Sequence, residues 1–186
     1  MASYRLLSYS SNTGSRPGIL IDNKVYDLNI ELEIHAPSSS FYPTLDSLLI
    51  DWDNAEMLLR KVSDDPRSKA KTLDGLTLCQ PIENPRAIYC AAANYYDHAA
   101  EVGLDINKTE VKPYFFIKSS SAVIGTGEPI CLPMHYSKEF DWEIEIAAVI
   151  GRKATNISVD QAGSCLAGYT ILNDLSARDH RRRKDW

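Results

Sequence analysis

The chain has 186 residues, 44% of them hydrophobic, with 20 Lys and Arg against 25 Asp and Glu and a net charge of −5. A chain of this length buries roughly 70% of the surface its unfolded form exposes, so a core can form without disulfides or a structural metal. Its acidic balance offers no attraction to nucleic acid or to acidic membranes, and no apolar run has the length of a membrane span.

Met1 to Arg5 leads into a short apolar stretch that lacks the longer hydrophobic region and small-residue cleavage site of a secretory signal. The cytoplasm is therefore the expected compartment. Tyr4 to Tyr9 and Gly18 to Ile21 read as strands, and Asp22-Asn23 offers a turn into a third from Val25 to Leu28, which predicts a hairpin. Helices are expected over Thr44 to Leu49 and Asp51 to Val62: Thr44 can cap the first, whose Leu45, Leu48 and Leu49 recur at helical spacing. Asp46, Asp51 and Asp53 fit helix starts better than a metal site. The polar stretch from Ser63 to Asp74 reads as a linker near the division between an N-terminal α+β unit, residues 1–78, and a second unit, residues 79–186.

The second unit reads as mostly β. Strands are expected at Tyr114 to Ile117, Ile130 to Leu132, Glu143 to Ile150 and Tyr169 to Leu172, with short helices over Tyr96 to Gly103 and Val159 to Leu166. Gly103 suits the end of the first helix. Gly125-Thr126-Gly127 lacks the Gly-Lys and helix of a phosphate loop and reads as a turn before Pro129. Ser119 to Ser121 has no nucleophile elbow around it. Cys79, Cys90, Cys131 and Cys165 show no Cys-x-x-Cys spacing and fit reduced, small buried side chains. The basic run Arg181 to Lys184 is flanked by Asp179 and Asp185 and reads as a solvated segment. His35, His135 and His180 have no partner at ligand spacing and read as structural or exposed.

Two acids interrupt the apolar segment Phe140-Asp141-Trp142-Glu143-Ile144-Glu145-Ile146-Ala147-Ala148-Val149-Ile150. On a strand Glu143 and Glu145 share one face, roughly 7 Å apart, and both can reach one ion. Paired carboxylates repel each other and are costly to desolvate, and a hard divalent cation with a preference for oxygen ligands relieves both problems. A half-exposed edge strand with a solvated acidic face gives the same alternation. Asp174 follows the apolar run Tyr169 to Leu172, where a strand would end, although Asn173-Asp174 also suits a plain turn. His98 and Glu101 stand three apart, neighbours on one face of a short helix, so Glu101 could orient the imidazole as a base. An incidental pair on an exposed helix fits the same spacing.

Four segments in order, NYxDHAAE from Asn94, FxKxxSxxxGxGxPIxLP from Phe116, DWExEIAxVIG from Asp141 and AGYTxxNDxSARD from Ala167, carry a family resemblance. Together they resemble the fumarylacetoacetate hydrolase family over about Glu83 to Trp186. That family includes acylpyruvate hydrolases, oxaloacetate decarboxylases and dienedioate isomerases. The resemblance implies that Glu143, Glu145 and Asp174 hold Mg²⁺ or Mn²⁺, that His98 and Glu101 form a catalytic dyad, that Lys118 lines the active site, and that Tyr95 and Arg178 contact substrate.

The fold implied is α+β and mostly β: a small N-terminal α+β domain followed by an incomplete β-roll of that family. The implied activity is metal-dependent hydrolysis of a carbon–carbon bond in a short β-diketo acid, with decarboxylation or isomerisation of a 2-oxo acid on the same site as the alternative. A homodimer is expected, with a small-molecule oxo acid as substrate and neither nucleic acid nor membrane as partner. Proteins with this resemblance continue well past the ARD segment. A truncated, non-catalytic remnant or interaction subunit is the rival expectation, and unpaired sheet edges would favour association with another chain.

Overall fold

The computed structural model describes residues 3–38, 41–92, 94–101, 103, 112 and 114–182, with the side chains of His98, Arg181 and Arg182 outside the description. The chain opens with an antiparallel meander of β1 (Tyr4–Ser11), β2 (Gly14–Ile21) and β3 (Lys24–Asp27). The expected turn is present. Asp22 and Asn23 take φ of 46° and 62°, and Ile21 pairs with Lys24. Residues that tolerate positive φ give a two-residue loop whose twist matches that of the strands.

β3 stops one residue before the expected Leu28, because the Asp27 carboxylate accepts the Ile30 N–H at 3.2 Å and caps α1 (Leu28–His35). This helix was absent from the sequence reading. Its octapeptide Leu-Asn-Ile-Glu-Leu-Glu-Ile-His alternates apolar and polar, a strand-like pattern. The helix buries Leu28 and Leu32 and leaves Ile30 and Ile34 exposed. Asn29 can be buried because its side chain bonds both the N–H and the carbonyl of Tyr42. Glu31 is fully buried, accepting the Arg67 and Ser68 N–H groups, with the shielded ring of His35 at 3.4 Å.

α2 (Leu45–Ile50) begins with a reciprocal cap between Thr44 and Ser47, both bonds 3.2 Å. α3 (Trp52–Asp64) turns Trp52, Ala55, Leu59 and Val62 inward, and these pack with Ile19, Ile21, Leu28, Leu45 and Leu48 into the core between helices and sheet. The expected linker is more ordered than its polarity suggested. α3 continues to Asp64, and β4 (Lys71–Thr72) pairs with β3. β5 (Leu78–Cys79) then pairs with β1, giving the sheet order β4-β3-β2-β1-β5.

The remainder contains β6 (Ile88–Ala92), α4 (Tyr96–Glu101), β7 (Tyr114–Lys118), β8 (Phe140–Asp141), β9 (Ile144–Ile150), α5 (Val159–Ala162), β10 (Leu166–Asn173) and β11 (Ser176–Ala177). The strands form three antiparallel ladders, β6 with β7, β8 with β11 and β9 with β10. The helix expected to reach Leu166 ends at Ala162, passes through a tight turn at Gly163–Cys165, and gives way to β10. Gly125 accepts the Glu128 N–H at 3.2 Å, as the expected turn requires.

Ile130 to Leu132 is not a strand. Pro129 and Pro133 flank it and cannot donate to a ladder. No described strand pairs with it, and Ile130 and Leu132 are 49% and 42% exposed. The neighbouring Cys131 is exposed rather than buried, while Cys79 and Cys90 are half-buried, Cys165 is buried, and all four thiols are free. Among the described residues no helix is long and apolar enough to cross a membrane.

Two contacts dock the β9–β10 hairpin on α3. A Cβ at Gly151 would stand 2.7 Å from Trp52 Cδ1 and 2.9 Å from Ala167 Cβ, so the close approach needs glycine. Beside it Arg152 donates to Asp53 at 2.5 Å, to Glu56 at 2.6 Å and to the Ser164 carbonyl at 2.8 Å. The helix-start acids serve as anchors in the same way: Asp46 accepts the Glu83 and Asn84 N–H groups, and Asp51 accepts the Tyr42 hydroxyl.

Candidate active site on the β9–β10 ladder

The register of β9 against β10 places Glu145 opposite Leu172 and Ile144 opposite Asn173. One step further Glu143 meets Asp174, whose N–H donates to the Glu143 carbonyl at 2.8 Å. Opposed residues of an antiparallel pair share a face, so Glu143, Glu145 and Asp174 are brought to the same side of the ladder. The other side carries Ile144, Ile146, Ile150, Tyr169 and Ile171, each at least 60% exposed. Asn173 is more than a turn residue: its side-chain oxygen accepts the Glu143 N–H at 3.1 Å and fixes the backbone where β9 begins.

Two protein cations sit on these acids. Lys118, the last residue of β7, donates to the Asp174 carboxylate and, at 2.9 Å, to the Leu175 carbonyl. Asp174 is only 5% exposed, so a cation beside it is a physical requirement. Burial pushes the Lys118 ammonium below the usual lysine range, against the pull of Cys90 and Glu143. Arg178, just after β11, donates to the Asp141 carboxylate at 2.8 Å and also to Glu143. Burial alone would lower the guanidinium, but Asp141 and Glu143 hold it above its ordinary value. Its own N–H donates to the Glu139 carbonyl at 2.7 Å, which locks β11 beside β8.

The sequence reading missed Asp141 and Cys90. Asp141 could have been found, because it precedes Glu143 by two and continues the same alternation. Cys90 could not, because its place depends on a pairing across β6 and β7. Ile88 pairs with Lys118 and Cys90 with Phe116, so Cys90 shares the Lys118 face. Its thiol is raised first by burial and then by the charges of Glu145 and Glu143, while Lys118 opposes them.

The proposed dyad stands elsewhere on the same ladder. α4 follows the end of β6 at Ala92, opposite Tyr114, whereas Lys118 is opposite Ile88 at the far end. Four residues of strand separate these ends, roughly 13 Å. Glu101 and Tyr95 are exposed, and the His98 side chain lies outside the described residues. Gly103 ends this helical segment, with φ of 74° and its N–H on the Ala100 carbonyl at 3.0 Å. A cavity of about 490 Å³ lies in the N-terminal unit, lined by Asp27, Ile30, Ile34 and Ser68 to Lys71, and contains none of these groups.

The donor set Glu143, Glu145 and Asp174 is all oxygen and fits a hard divalent cation in chemistry. Among the described residues, however, no three His, Cys, Asp or Glu side chains converge to hold an ion. Lys118 and Arg178 compensate the charge of Asp174 and Glu143.

Three comparisons place this architecture. The chain is 31% identical over 183 residues to the oxaloacetate tautomerase fahd2, mitochondrial, of Xenopus laevis, covering 98% of this chain and 55% of that protein. Among solved structures, fumarylacetoacetate hydrolase from Exiguobacterium antarcticum aligns with a TM-score of 0.67 at 24% identity, covering 96% of this chain and 58% of that one. Maleylpyruvate hydrolase from Sphingobium sp. SYK-6, solved with manganese(II) and pyruvate, aligns with a TM-score of 0.69 at 23% identity, covering 94% and 59%. The chain thus spans little more than half the length of these proteins, and its mixed α+β architecture is theirs. Residues 87–186 match the family described as fumarylacetoacetate (FAA) hydrolase C-terminal, and the chain belongs to the fumarylacetoacetate hydrolase family.

Proposed function

We propose that this chain carries the metal-binding half of an enzyme that enolises short 2-oxo acids, with keto–enol isomerisation of an oxaloacetate-like dicarboxylate as the reaction to test first. The observation that carries this reading is the meeting of Glu143 and Asp174 across the ladder, with Glu145 on the same face. The relatives named as oxaloacetate tautomerases support the substrate class. Hydrolysis of a carbon–carbon bond in an acylpyruvate is the second reading, favoured by the likeness in fold to two hydrolases. Both reactions pass through an enolate.

Glu143, Glu145 and Asp174 would hold Mg²⁺ or Mn²⁺, which when bound polarises the 2-oxo group and stabilises the developing negative charge. Lys118 and Arg178 supply fixed positive charge beside that position, suited to substrate carboxylates. Tyr95 is exposed next to α4 and available to substrate. His98, oriented by Glu101, would move the proton: from the carbon next to the oxo group in isomerisation, or from water in hydrolysis. A positioned base of this kind contributes about 10² to 10⁴ in rate.

The test is an assay of purified residues 1–186 with Mn²⁺ or Mg²⁺ against oxaloacetate, an acylpyruvate and an unsaturated dioate, with a chelator as control. Chelator-sensitive isomerisation of oxaloacetate supports the first reading. Cleavage of the acylpyruvate alone moves the assignment to hydrolysis. Metal binding without any turnover supports the rival of a non-catalytic subunit.

A further inference from the structure

We propose that Asp179 is a positioning residue: together with Ser137 it clamps the loop before β8 to the turn after β11, and this clamp fixes the direction in which the Arg178 guanidinium points. Its service to a reaction rests on the reading above, in which Arg178 meets an anionic substrate that Asp179 itself never touches.

The β8–β11 ladder is only two residue pairs long, Ser176 with Asp141 and Ala177 with Phe140. So short a ribbon is marginal by itself. Beyond it the next three residues grip the loop before β8 one after another. The Arg178 N–H donates to the Glu139 carbonyl at 2.7 Å. The Asp179 carboxylate then accepts the Ser137 hydroxyl at 2.6 Å and the Lys138 N–H at 3.1 Å. Last, the His180 ring stacks on Tyr136 with centroids 4.5 Å apart, and its Nε2 lies 2.9 Å from the Tyr136 carbonyl oxygen. Side chains thus continue the pairing where the backbone ladder ends. Ser137 is 1% exposed and its hydroxyl oxygen also accepts the Glu139 N–H at 3.3 Å, so the Asp179 carboxylate is tied to a buried group. The Ser137 hydroxyl first, and the Lys138 N–H second, hold the Asp179 carboxyl below the usual carboxylate range, as bonds to the charged form do.

Arg178 stands between the ladder and the clamp. Its Nε–H donates to Asp141 at 2.8 Å and the guanidinium also reaches Glu143, so a side chain pointing toward β8 is carried by a backbone held from the other direction. A long, rotamer-rich side chain costs affinity when a ligand has to order it. The clamp removes that cost in advance. Without it, a two-pair ladder and one further backbone bond would hold the turn, and the guanidinium would lose the fixed origin from which it reaches Asp141.

The experiment is exchange of the Arg178 Nε–H with water in residues 1–186, followed in ¹⁵N-edited NMR spectra and assigned with Arg178→Lys, for the wild type, Ser137→Ala, Asp179→Asn, the double variant and Lys138→Ala. Lys138 lends the clamp its backbone N–H, so removal of its exposed side chain is the control. The wild-type proton should be protected, Ser137→Ala and Asp179→Asn should each speed its exchange at least about tenfold, and Lys138→Ala should stay within about twofold of wild type. The double variant should exchange no faster than the faster single one, because both changes break the same bond. Unchanged exchange in the two folded single variants overturns the clamp, and so does an unprotected proton in the wild type, a measurement that needs no variant to fold. Kinetics with oxaloacetate separate this role from the functional reading: Asp179→Asn should raise KM at least about fivefold and leave kcat within about twofold. Faster exchange with an unchanged KM in an active preparation overturns the positioning role. Protection lost in both variants of a chain that turns over no substrate supports the clamp and overturns the enolisation reading alone.

Discussion

Asp174 and Glu143 are joined through the backbone as well as brought together on one face: the Asp174 N–H donates to the Glu143 carbonyl at 2.8 Å. One peptide contact therefore sets the spacing of two acids that lie 31 positions apart. Glu145 extends the same face, and Glu145→Gln removes one of three charges without changing its volume. It should weaken Mn²⁺ binding by about tenfold or more, since a neutral amide oxygen is a poorer ligand for a hard cation. Titration calorimetry checks this, and an unchanged affinity would remove Glu145 from the proposed ligand set.

His98→Ala should abolish turnover on whichever substrate the assay identifies, a loss of about 10² to 10⁴, while Mn²⁺ binding stays as in the wild type. The pair of measurements matters because α4 follows the far end of the β6–β7 ladder from Lys118. A variant that retained full activity would show that the helix supplies no base.

At Gly151 the crowding is structural. Gly151→Ala puts a methyl within 2.7 Å of Trp52 Cδ1 and 2.9 Å of Ala167 Cβ, and the indole is too well packed to yield. The expected cost is about 1–3 kcal/mol, typical of overpacking, seen as a lower midpoint in thermal denaturation. A midpoint equal to that of the wild type would mean that the hairpin does not dock on α3.

Asp27 predicts the shape of acid denaturation. Burial by itself raises this carboxyl, but hydrogen bonds from Arg16, Tyr9 and the Ile30 amide reverse the effect and hold it below the usual carboxylate range. A carboxyl depressed in the folded state contributes stability in full above its unfolded value, roughly pH 4, and loses it as pH falls through the lower folded value. Asp27→Asn should therefore cost about 1–3 kcal/mol at pH 7, with the gap from wild type closing below pH 4 in urea titrations. A gap of constant size across that range would refute the linkage. At the other extreme Tyr9, pushed up to about 12 first by burial and then by its bond to Asp27, stays neutral well into the alkaline range.

Self-association is the last expectation. Tyr114, Phe115 and Ile117 on β7 are exposed at 56–70%, and the outer face of β9–β10 exposes Ile144, Ile146, Ile150, Tyr169 and Ile171. Contiguous apolar surface of this kind marks an interface. Light scattering should report a dimer of residues 1–186, and a stable monomer would count against it.

Local chemistry made much of this fold readable in the sequence. The Asp22-Asn23 turn, the Thr44 cap and the stop at Gly103 each depend on a few adjacent residues. α1 was hidden because buried Asn29 and Glu31 satisfy their polar groups at Tyr42, Arg67 and Ser68, while Ile30 and Ile34 stay outside, so hydrophobic pattern and burial part company. At the candidate site the acids were visible from their alternation. The salt bridges from Lys118 and Arg178 were not, since each spans more than thirty positions and no local propensity encodes such a pairing.

The irregularity between Leu166 and Gly168, where Ala167 has no partner across the ladder, acts at a distance. Ala167 packs against the core and stands beside Gly151, so the extra residue is pinned where the hairpin meets α3. Side chains on a strand alternate, and a slip of one position would exchange every inward residue for its neighbour. Without the extra residue Asn173 would stand opposite Glu143, and Asp174 would turn to the opposite surface. The phase of Asp174 is thus fixed at the other end of β10, beside Gly151 and the Arg152 ion pairs, and α3 behaves as the gauge against which the site is set.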